Sequence, residues 1–219
     1  MSKIRSSSSS QYEYISKFIQ NVSEDHFEEI RNSAPTELQH MQITAVEGSI
    51  LRWLIATQQP TFALEIGTFV GYSTAWLAAG MQHGSTLISV EKSHERLAIA
   101  KNNLEKYNFK CEVKLYLNDG KSKEERDINL QKLLAEFGVN FGFVFCDGAK
   151  SEYMHCFQTT SKYLKKGGLF VADNVTSFHS NTSNVGNAID AFNSHVCTND
   201  AFDTTIIPTC DGLMIARKK

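Results

Sequence analysis

The sequence predicts an α/β fold: a Rossmann-like, seven-stranded and mostly parallel sheet with helices on both faces and a C-terminal antiparallel hairpin. Two observations predict it. After Pro60, short apolar runs alternate with longer amphipathic segments, which is typical of parallel strands joined by crossover helices. The length of 219 residues also suits one large domain, because a single core still buries its apolar surface at that size.

The first part of the chain is predicted to be a polar tail followed by two helices. The serine run from Ser6 to Ser10 cannot bury enough apolar area to offset its ordering entropy, so we expect residues 1–11 to be disordered. Residues 12–219 then form the single domain. Apolar residues recur at helical spacing from Tyr12 to about Arg31 and again from Ile43 to Leu54, which predicts two helices before the sheet.

Seven strands and five further helices are predicted after these two helices. The strands are Phe62–Ile66, Thr86–Glu91, Glu112–Leu117, Phe141–Asp147, Gly168–Asp173, Thr204–Pro208 and Gly212–Arg217. The helices are Ser73–Met81, Ser93–Tyr107, Lys123–Phe137, Glu152–Leu164 and Gly186–His195. The pair Gly167-Gly168 is predicted to end the fourth of these helices, and Asp211-Gly212 to form the turn of the hairpin.

Composition argues against several classes of protein. The net charge of -2 and the absence of a long Lys/Arg cluster argue against a nucleic-acid partner. No apolar stretch approaches the roughly 20 residues that span a bilayer, and the N-terminus is polar, so we expect a cytoplasmic protein without membrane association. An odd number of cysteines without a C-x-x-C pair argues against disulfides and zinc, which predicts reduced, largely buried thiols at Cys111, Cys146, Cys156, Cys197 and Cys210.

The residues that end the strands are the candidates for a ligand site, because ligands of doubly wound sheets bind outside the carboxyl ends of the strands. The first strand ends near Glu65 and leads through Gly67 and Gly71 into a helix, without the third glycine of dinucleotide-binding turns. A carboxylate at Glu65 suits a cationic ammonium, and Glu91 can accept hydrogen bonds from ribose hydroxyls. The third strand ends in Asn118-Asp119-Gly120, which could border an adenine. These features favour an adenosine-bearing cofactor.

The fourth and fifth strands both end in oxygen-bearing side chains. Asp147 follows the fourth strand and Asp173-Asn174 follow the fifth, so these groups meet at the mouth of the cleft if the two strands are neighbours. Two carboxylates and an amide oxygen fit magnesium, manganese or calcium rather than zinc. Lys150 is near enough in sequence to approach an oxygen at the same site. A single strand-end Asp could equally cap a helix, and Lys150 could be an exposed lysine that opens one.

The run A-L-E-I-G-T-F-V-G-Y-S-T resembles the first motif of class I S-adenosylmethionine methyltransferases, specifically the metal-dependent group that contains the caffeoyl-CoA and catechol O-methyltransferases. The resemblance extends from about Met41 to the D-G-L-M-I-A-R ending. It implies S-adenosylmethionine as cofactor and a divalent metal held by Asp147, Asp173 and Asn174, with Lys150 as general base beside Asp147. The cofactor-binding residues that it implies are Ile43, Glu65, Gly67, Thr68, Ser73, Glu91, Gly120 and Asp147.

Three segments depart from the pattern of this family. Residues 118–120 have the sequence N-D-G where the family commonly has G-D-A, and residues 147–150 have D-G-A-K where D-A-D-K is frequent. The metal-binding aspartate and the lysine are kept. The segment Val175–Asn181 lacks the tryptophan-containing loop of the plant caffeoyl-CoA enzymes, so the sequence does not support a coenzyme A thioester substrate.

The main hypothesis is methyl transfer to a small hydroxylated acceptor such as a catechol, because two vicinal oxygens can chelate one metal ion. A modified nucleoside of transfer RNA is the alternative acceptor, and the acidic balance disfavours it. The intact metal and lysine motifs disfavour a non-catalytic Rossmann-like binding module, and the missing third glycine disfavours an NAD-dependent oxidoreductase. We also expect a homodimer that forms through the N-terminal helices.

Overall fold

The computed structural model describes residues 14, 15, 18, 24–138, 140–177 and 183–219. The predicted tail, residues 1–11, lies outside them, and so does most of the predicted first helix before Glu24. The helix that is described there, α1, spans Glu24–Asn32. No helix of the described residues is long and apolar enough to cross a membrane.

Six further α-helices and seven strands follow in the described part of the chain. The helices are α2 (Ala45–Gln58), α3 (Tyr72–Gly80), α4 (His94–Leu104), α5 (Lys123–Phe137), α6 (Tyr153–Thr160) and α7 (Asn184–Cys197), with 3-10 turns at Thr36–Met41 and Lys150–Glu152. The strands are β1 (Phe62–Ile66), β2 (Thr86–Glu91), β3 (Glu112–Leu117), β4 (Phe141–Cys146), β5 (Leu164–Ala172), β6 (Phe202–Ile207) and β7 (Leu213–Lys218).

Four of the helices begin at a serine or threonine whose hydroxyl accepts a hydrogen bond from a backbone N–H in the first turn. This side-chain cap satisfies one of the donors that a helix start leaves without a partner. The capping residues are Thr44 for α2, Ser93 for α4, Ser122 for α5 and Ser183 for α7. Helix α3 differs, because its N-cap is Gly71 in the left-handed conformation, at the end of the loop that leaves β1.

The seven strands form one sheet in the order β3-β2-β1-β4-β5-β7-β6. The first five are parallel, whereas β7 runs antiparallel to both β5 and β6. The predicted fold class is confirmed. The strand order reverses at β1, which pairs with β2 on one side and β4 on the other, and such a reversal opens a crevice at the carboxyl ends of the strands.

Alternate residues of the central strands pack on opposite faces of the sheet. In β4, Phe143 packs in the cluster that holds Leu51 of α2 and Trp76 of α3, whereas Val144 packs with Phe157 of α6 and residues of α5 and α7. All of these side chains are buried. Helices α1 to α4 therefore cover one face and α5 to α7 the other, which fixes both walls of the crevice above the strand ends.

The predicted role of Gly167-Gly168 is wrong. Helix α6 already ends at Thr160, and both glycines lie inside β5. In the pairing with β4, Phe141 is opposite Leu164 while Phe143 is opposite Leu169, so the residues between them bulge out of the strand. Gly167 has a φ of +77°, a conformation that glycine adopts at little cost. The glycines thus serve an irregular strand and do not end a helix.

None of the five cysteines forms a disulfide bond in this structure. The expectation that they are largely buried holds for Cys111 and Cys146, while Cys197 and Cys210 are exposed. Cys197 is the last residue of α7 and Cys210 lies in the loop between β6 and β7, so neither sits in the apolar interior.

Candidate active site

A cavity of about 660 Å³ lies at the carboxyl ends of β1, β2, β4 and β5. Nine of the predicted site residues line it: Ile43, Gly67, Thr68, Ser73, Glu91, Asp147, Lys150, Asp173 and Asn174. Two others, Glu65 and Gly120, are not among the described residues that form its walls. The cavity also receives residues from the 3-10 turn before α2, from α5 and from the hairpin loop, so it is closed on several sides.

The loop after β1 brings two backbone segments unusually close together. Gly67 has a φ of +106°, and a Cβ atom placed on it would lie 2.5 Å from the carbonyl oxygen of Asp147. Phe69 and Gly71 in the same loop also have positive φ values, of 50° and 93°. Only glycine fits at position 67, because any side chain would push the loop away from the end of β4.

Glu65 is fully buried and binds the protein rather than facing the cavity. Its carboxylate accepts hydrogen bonds from the hydroxyls of Ser73 at 2.6 Å, Thr74 at 2.5 Å and Ser89 at 2.5 Å. Burial raises the pKa of Glu65 to about 7, although the three hydroxyls oppose this rise. This geometry does not favour the predicted direct contact between Glu65 and an ammonium. Instead, Glu65 stabilises the first turn of α3 through Ser73 and Thr74.

Glu91 is held at the cavity wall by backbone donors. Its Oε2 accepts a hydrogen bond from the N–H of Phe69 at 2.8 Å, and its Oε1 accepts from the N–H groups of Lys92 and Ser93, both at 3.0 Å. The residue is 5% exposed. The carboxylate is therefore oriented before any ligand arrives, and Oε2 keeps a lone pair that could accept a ribose hydroxyl.

Asn118, rather than Gly120, reaches the cavity from the end of β3. The carbonyl oxygen of Gly120 accepts a hydrogen bond from Arg126 at 2.8 Å, and a Cβ on Gly120 would lie 2.8 Å from the backbone nitrogen of Arg126. Arg126 also forms an ion pair with Glu152 across the same wall. Gly120 thus allows α5 to pack closely, and its predicted contact with the adenine has no support in this geometry.

Lys150 and the two aspartates form one connected network. The Nζ of Lys150 donates to Oδ1 of Asp147 at 2.7 Å and to the hydroxyl of Tyr153 at 2.9 Å. The Tyr153 hydroxyl in turn donates to the backbone oxygen of Asp173 at 3.1 Å. The Lys150 side chain is only 20% exposed, which rules out the alternative of a freely exposed lysine. The ends of β4 and β5 are thereby tied together through one amine.

The aspartate pair carries more negative charge than this network neutralises. Burial and the neighbouring Asp147 carboxylate raise the pKa of Asp173 well above its usual range, and burial also raises the pKa of Asp147 against the opposing effect of Lys150. Oδ1 of Asp173 is buried and has no hydrogen-bond partner in the described structure. An oxygen in this state fits a cation as its partner, because a buried acceptor without one costs about 1–3 kcal/mol.

The donor set of this site is oxygen only. Asn174 lines the cavity beside the aspartates and has a φ of 57°, in the left-handed region. Among the described residues, no three His, Cys, Asp or Glu side chains come together as a metal site. Asp147, Asp173 and the amide oxygen of Asn174 fit a hard divalent cation that takes its remaining ligands from water or substrate.

Two residues of the site were missed from the sequence. Tyr153 is fully buried and holds Lys150 in place; its position three residues after Lys150, at a helix start, was the available signal. Glu47 lines the cavity from the first turn of α2, at the fourth residue of the motif Thr44-Ala45-Val46-Glu47, which is a capping box. The tryptophan-free segment singled out after Asn174 continues past Ser177 into residues outside the described ranges.

Comparison with known proteins identifies relatives of this architecture. A model of the O-methyltransferase family matches residues 18–219. The catechol O-methyltransferase of Niastella koreensis is 27% identical over 186 residues, which cover 80% of this chain and 81% of that protein. The caffeoyl-CoA O-methyltransferase of Stellaria longipes is 22% identical over 153 residues, which cover 68% of this chain and 61% of the relative.

Solved structures show the same fold. An O-methyltransferase from Bacillus cereus in complex with SAH (S-adenosylhomocysteine) superposes with a TM-score of 0.81 at 24% identity, over 96% of this chain and 97% of that one. The O-methyltransferase TomG from Streptomyces achromogenes, solved in complex with SAM (S-adenosylmethionine), superposes with a TM-score of 0.74 at 22% identity, over 87% of this chain and 90% of that one. The two superpositions cover most of this chain.

Proposed function

The chain belongs to the O-methyltransferase family and is an S-adenosylmethionine-dependent O-methyltransferase; from this premise we propose that it methylates one hydroxyl of a small, catechol-like acceptor with the help of a divalent metal. The metal ligands that we propose are Asp147, Asp173 and Asn174. The cofactor contacts that we propose are those predicted residues that line the cavity: Ile43, Gly67, Thr68, Ser73, Glu91 and Asp147.

One observation carries this proposal: the buried, unpartnered Oδ1 of Asp173 beside the ion pair of Asp147 and Lys150. A buried carboxylate oxygen without a donor favours a cation that is supplied from outside the chain. The same cavity also reaches Glu91 and the loop after β1, where the cofactor of the family would lie. Cofactor and acceptor would therefore share one cavity, as methyl transfer from the one to the other requires.

A bound divalent ion would supply Lewis-acid chemistry, since it polarises the acceptor oxygens and favours loss of the hydroxyl proton. The protein itself supplies a base and holds it in position. Lys150, when uncharged, takes the proton from the acceptor hydroxyl, and Asp147 then stabilises the ammonium that forms at 2.7 Å from it. Tyr153 keeps the amine aimed at this point through a bond of 2.9 Å.

The transfer itself is an in-line displacement. The acceptor oxygen forms a bond to the sulfonium methyl carbon, the carbon–sulfur bond breaks, and its electron pair remains on the sulfur of S-adenosylhomocysteine. No covalent enzyme intermediate is required. The cavity walls fix the nucleophile and the methyl group in line, which can contribute on the order of 7–11 kcal/mol in well-oriented reactions.

The acceptor class is tested by comparing catechol with phenol at saturating S-adenosylmethionine and Mg²⁺. Catechol offers two vicinal oxygens to the proposed ligand set, whereas phenol offers one, so we expect kcat/KM to be at least about 10²-fold higher for catechol. The methyl product is quantified by chromatography with isotopically labelled cofactor. Equal rates for catechol and phenol would contradict the chelating acceptor. Activity on transfer RNA that carries its modified nucleosides, but on neither catechol nor phenol, would favour the nucleoside alternative.

We also propose that the chain forms a homodimer through apolar side chains near its N-terminus. Tyr14 and Phe18 are 63% and 62% exposed, and their ring centroids are 5.0 Å apart. Trp53 on α2 is 66% exposed. In contrast, the apolar side chains Phe27 and Ile30 of α1 are buried within the chain, so α1 does not leave its own apolar face open. Light scattering at micromolar concentration tests this, and a monomer would contradict it.

A further inference from the structure

Glu47 is a buried carboxylate in the cavity wall to which no role has been assigned so far. It occupies the first turn of α2 and is 3% exposed. Its Oε2 accepts hydrogen bonds from the backbone N–H of Thr44 at 2.8 Å and from the hydroxyl of Thr44 at 2.9 Å. Both bonds are made to Oε2, and through this oxygen the capping box fixes the orientation of the carboxylate.

The other oxygen of Glu47 is left without a partner. Oε1 is buried and, among the described residues, has no hydrogen-bond donor. Glu47 lines the cavity together with Ile43, Thr44 and Ser73. A charged acceptor that is buried, oriented and unsatisfied fits a cationic hydrogen-bond donor on a ligand, since leaving it unsatisfied costs more than a neutral group would.

Glu47 is near the proposed metal ligands, because its negative charge raises the pKa of both Asp147 and Asp173. The three carboxylates nevertheless do not form a group that could hold one metal ion within the described structure. We therefore do not assign Glu47 to the metal, and its Oε1 suits a cationic donor on another ligand.

S-adenosylmethionine carries such a cation in its methionine part. Helix α2 packs on α3 where Gly48 meets the ring of Trp76, one turn beyond Tyr72 and Ser73 at the start of α3. Glu65, the residue predicted for the ammonium, is fully buried and does not line the cavity, and each of its oxygens already accepts a hydrogen bond from a protein hydroxyl. The sulfonium cannot donate a hydrogen bond, whereas the α-ammonium of the methionine part can.

We propose that Oε1 of Glu47 binds the α-ammonium of S-adenosylmethionine and of S-adenosylhomocysteine. The assignment rests on the cofactor of the proposed function and adds a binding residue to it. Glu47 contributes a charge-assisted hydrogen bond, while Thr44 keeps the carboxylate pointed at the ligand. Because both the substrate and the product carry this ammonium, the contact stabilises both cofactor complexes and is not specific to the transition state.

The test compares two ligands on the wild type and on Glu47→Gln by isothermal calorimetry. The ligands are S-adenosylhomocysteine and its analogue in which hydrogen replaces the α-amino group. Glutamine keeps an oxygen for the capping box, and Glu37→Gln is the matched control because Glu37 is exposed in the preceding 3-10 turn. We expect Glu47→Gln to weaken S-adenosylhomocysteine about 10- to 100-fold, with no effect on the deaminated analogue and none from Glu37→Gln.

Three results would overturn the proposal. Equal weakening of both ligands would give Glu47 a structural role through the capping box. Unchanged S-adenosylhomocysteine binding with weaker Mn²⁺ binding would make it a metal residue instead. Unchanged binding of S-adenosylhomocysteine and of Mn²⁺ would remove Glu47 from the site. A wild type that binds no S-adenosylhomocysteine would contradict the cofactor assignment itself, so the two failures are distinguishable.

Discussion

At the scale of single residues, the buried glutamates have two different roles: some can bind the ligand, and one stabilises the protein around the site. Backbone N–H groups bind both oxygens of Glu91 and one oxygen of Glu47, and both residues line the cavity. Glu65 has both oxygens bound to hydroxyls and does not line the cavity. We therefore assign Glu91 and Glu47, and not Glu65, to contact with the cofactor.

Replacing Lys150 by methionine tests the proton acceptor. The variant keeps most of the side-chain volume and removes the amine, so we expect the rate of methyl transfer to fall about 10²–10⁴-fold, the usual contribution of a positioned base. S-adenosylhomocysteine binding should be largely retained, because Asp147 is the single proposed cofactor contact that bonds to the amine. Lys162→Met, at an exposed position, serves as the control. A variant with the wild-type rate would exclude Lys150 as the base.

Glu65 makes the stability of the protein depend on pH. Between its ordinary pKa of 4.5 and the folded value of about 7, the folded protein retains the proton while the unfolded chain releases it. The free energy of unfolding therefore falls as the pH rises through this window, by up to about 3 kcal/mol from this one group. We expect Glu65→Gln to flatten this slope and exposed Glu136→Gln to leave it unchanged. Urea titrations at pH 5 and pH 8 measure the change in the free energy of unfolding between these pH values. The same change for the wild type and for Glu65→Gln would contradict the account.

Two residues illustrate what could not be predicted from the sequence at this scale. The position of Glu65 near the strand end was evident, but its buried side chain accepts hydrogen bonds from the hydroxyls of Ser73, Thr74 and Ser89 and does not line the cavity. Gly120 lies in the predicted turn, yet it serves the packing of Arg126. Sequence position predicts which residues end a strand, whereas the direction of each side chain depends on partners that only the packed structure brings together.

The loop between β1 and α3 is the element that joins the two halves of the site. It has positive φ values at three positions and touches the end of β4 through Gly67. Its backbone also supplies the N–H of Phe69 that orients Glu91. Movement of this loop would therefore disturb the cofactor end and the metal end together.

Gly67→Ala tests this coupling. The added Cβ would meet the carbonyl oxygen of Asp147 at 2.5 Å in addition to the strain of a positive φ. Gly84→Ala is the matched control, because Gly84 has a φ of +76° and open space around its Cβ position. We expect about 1 kcal/mol of destabilisation for Gly84→Ala and at least about 2–3 kcal/mol for Gly67→Ala. Only Gly67→Ala should also weaken the binding of S-adenosylhomocysteine. Equal effects of the two substitutions on binding, measured by calorimetry, and on thermal unfolding would contradict the close approach of Gly67 to Asp147.

Elements were predicted more completely than side-chain directions. Alternation of apolar runs located all seven strands, and three of them, β1, β2 and β3, begin and end as predicted. The start of β5 was placed too late, because the bulge at Lys165–Gly168 interrupts its apolar pattern and its glycines resemble a helix end. Local patterns identify regular elements well, while a bulge is stabilised by the neighbouring strand and leaves an ambiguous pattern.

At the scale of the whole molecule, the sheet order concentrates charge at one place. The reversal at β1 brings the carboxyl ends of β1, β2, β4 and β5 around one cavity. Residues at these ends, or in the loops that follow them, form the site. The order of the motifs along the chain predicted this arrangement, because parallel strands present all their carboxyl ends on one edge. Helices α1 to α4 and α5 to α7 then enclose the cavity from both faces.

The central claim is that methyl transfer and cofactor binding use adjacent but separable parts of this cavity. The most direct measurement follows methyl transfer to catechol and S-adenosylhomocysteine affinity in parallel, in Mg²⁺ and in EDTA, for the wild type and for Asp173→Asn. We predict that EDTA abolishes transfer by the wild type, that Asp173→Asn mimics EDTA, and that cofactor affinity stays nearly constant throughout. Full transfer activity in EDTA by a protein verified to be metal-free would contradict the account.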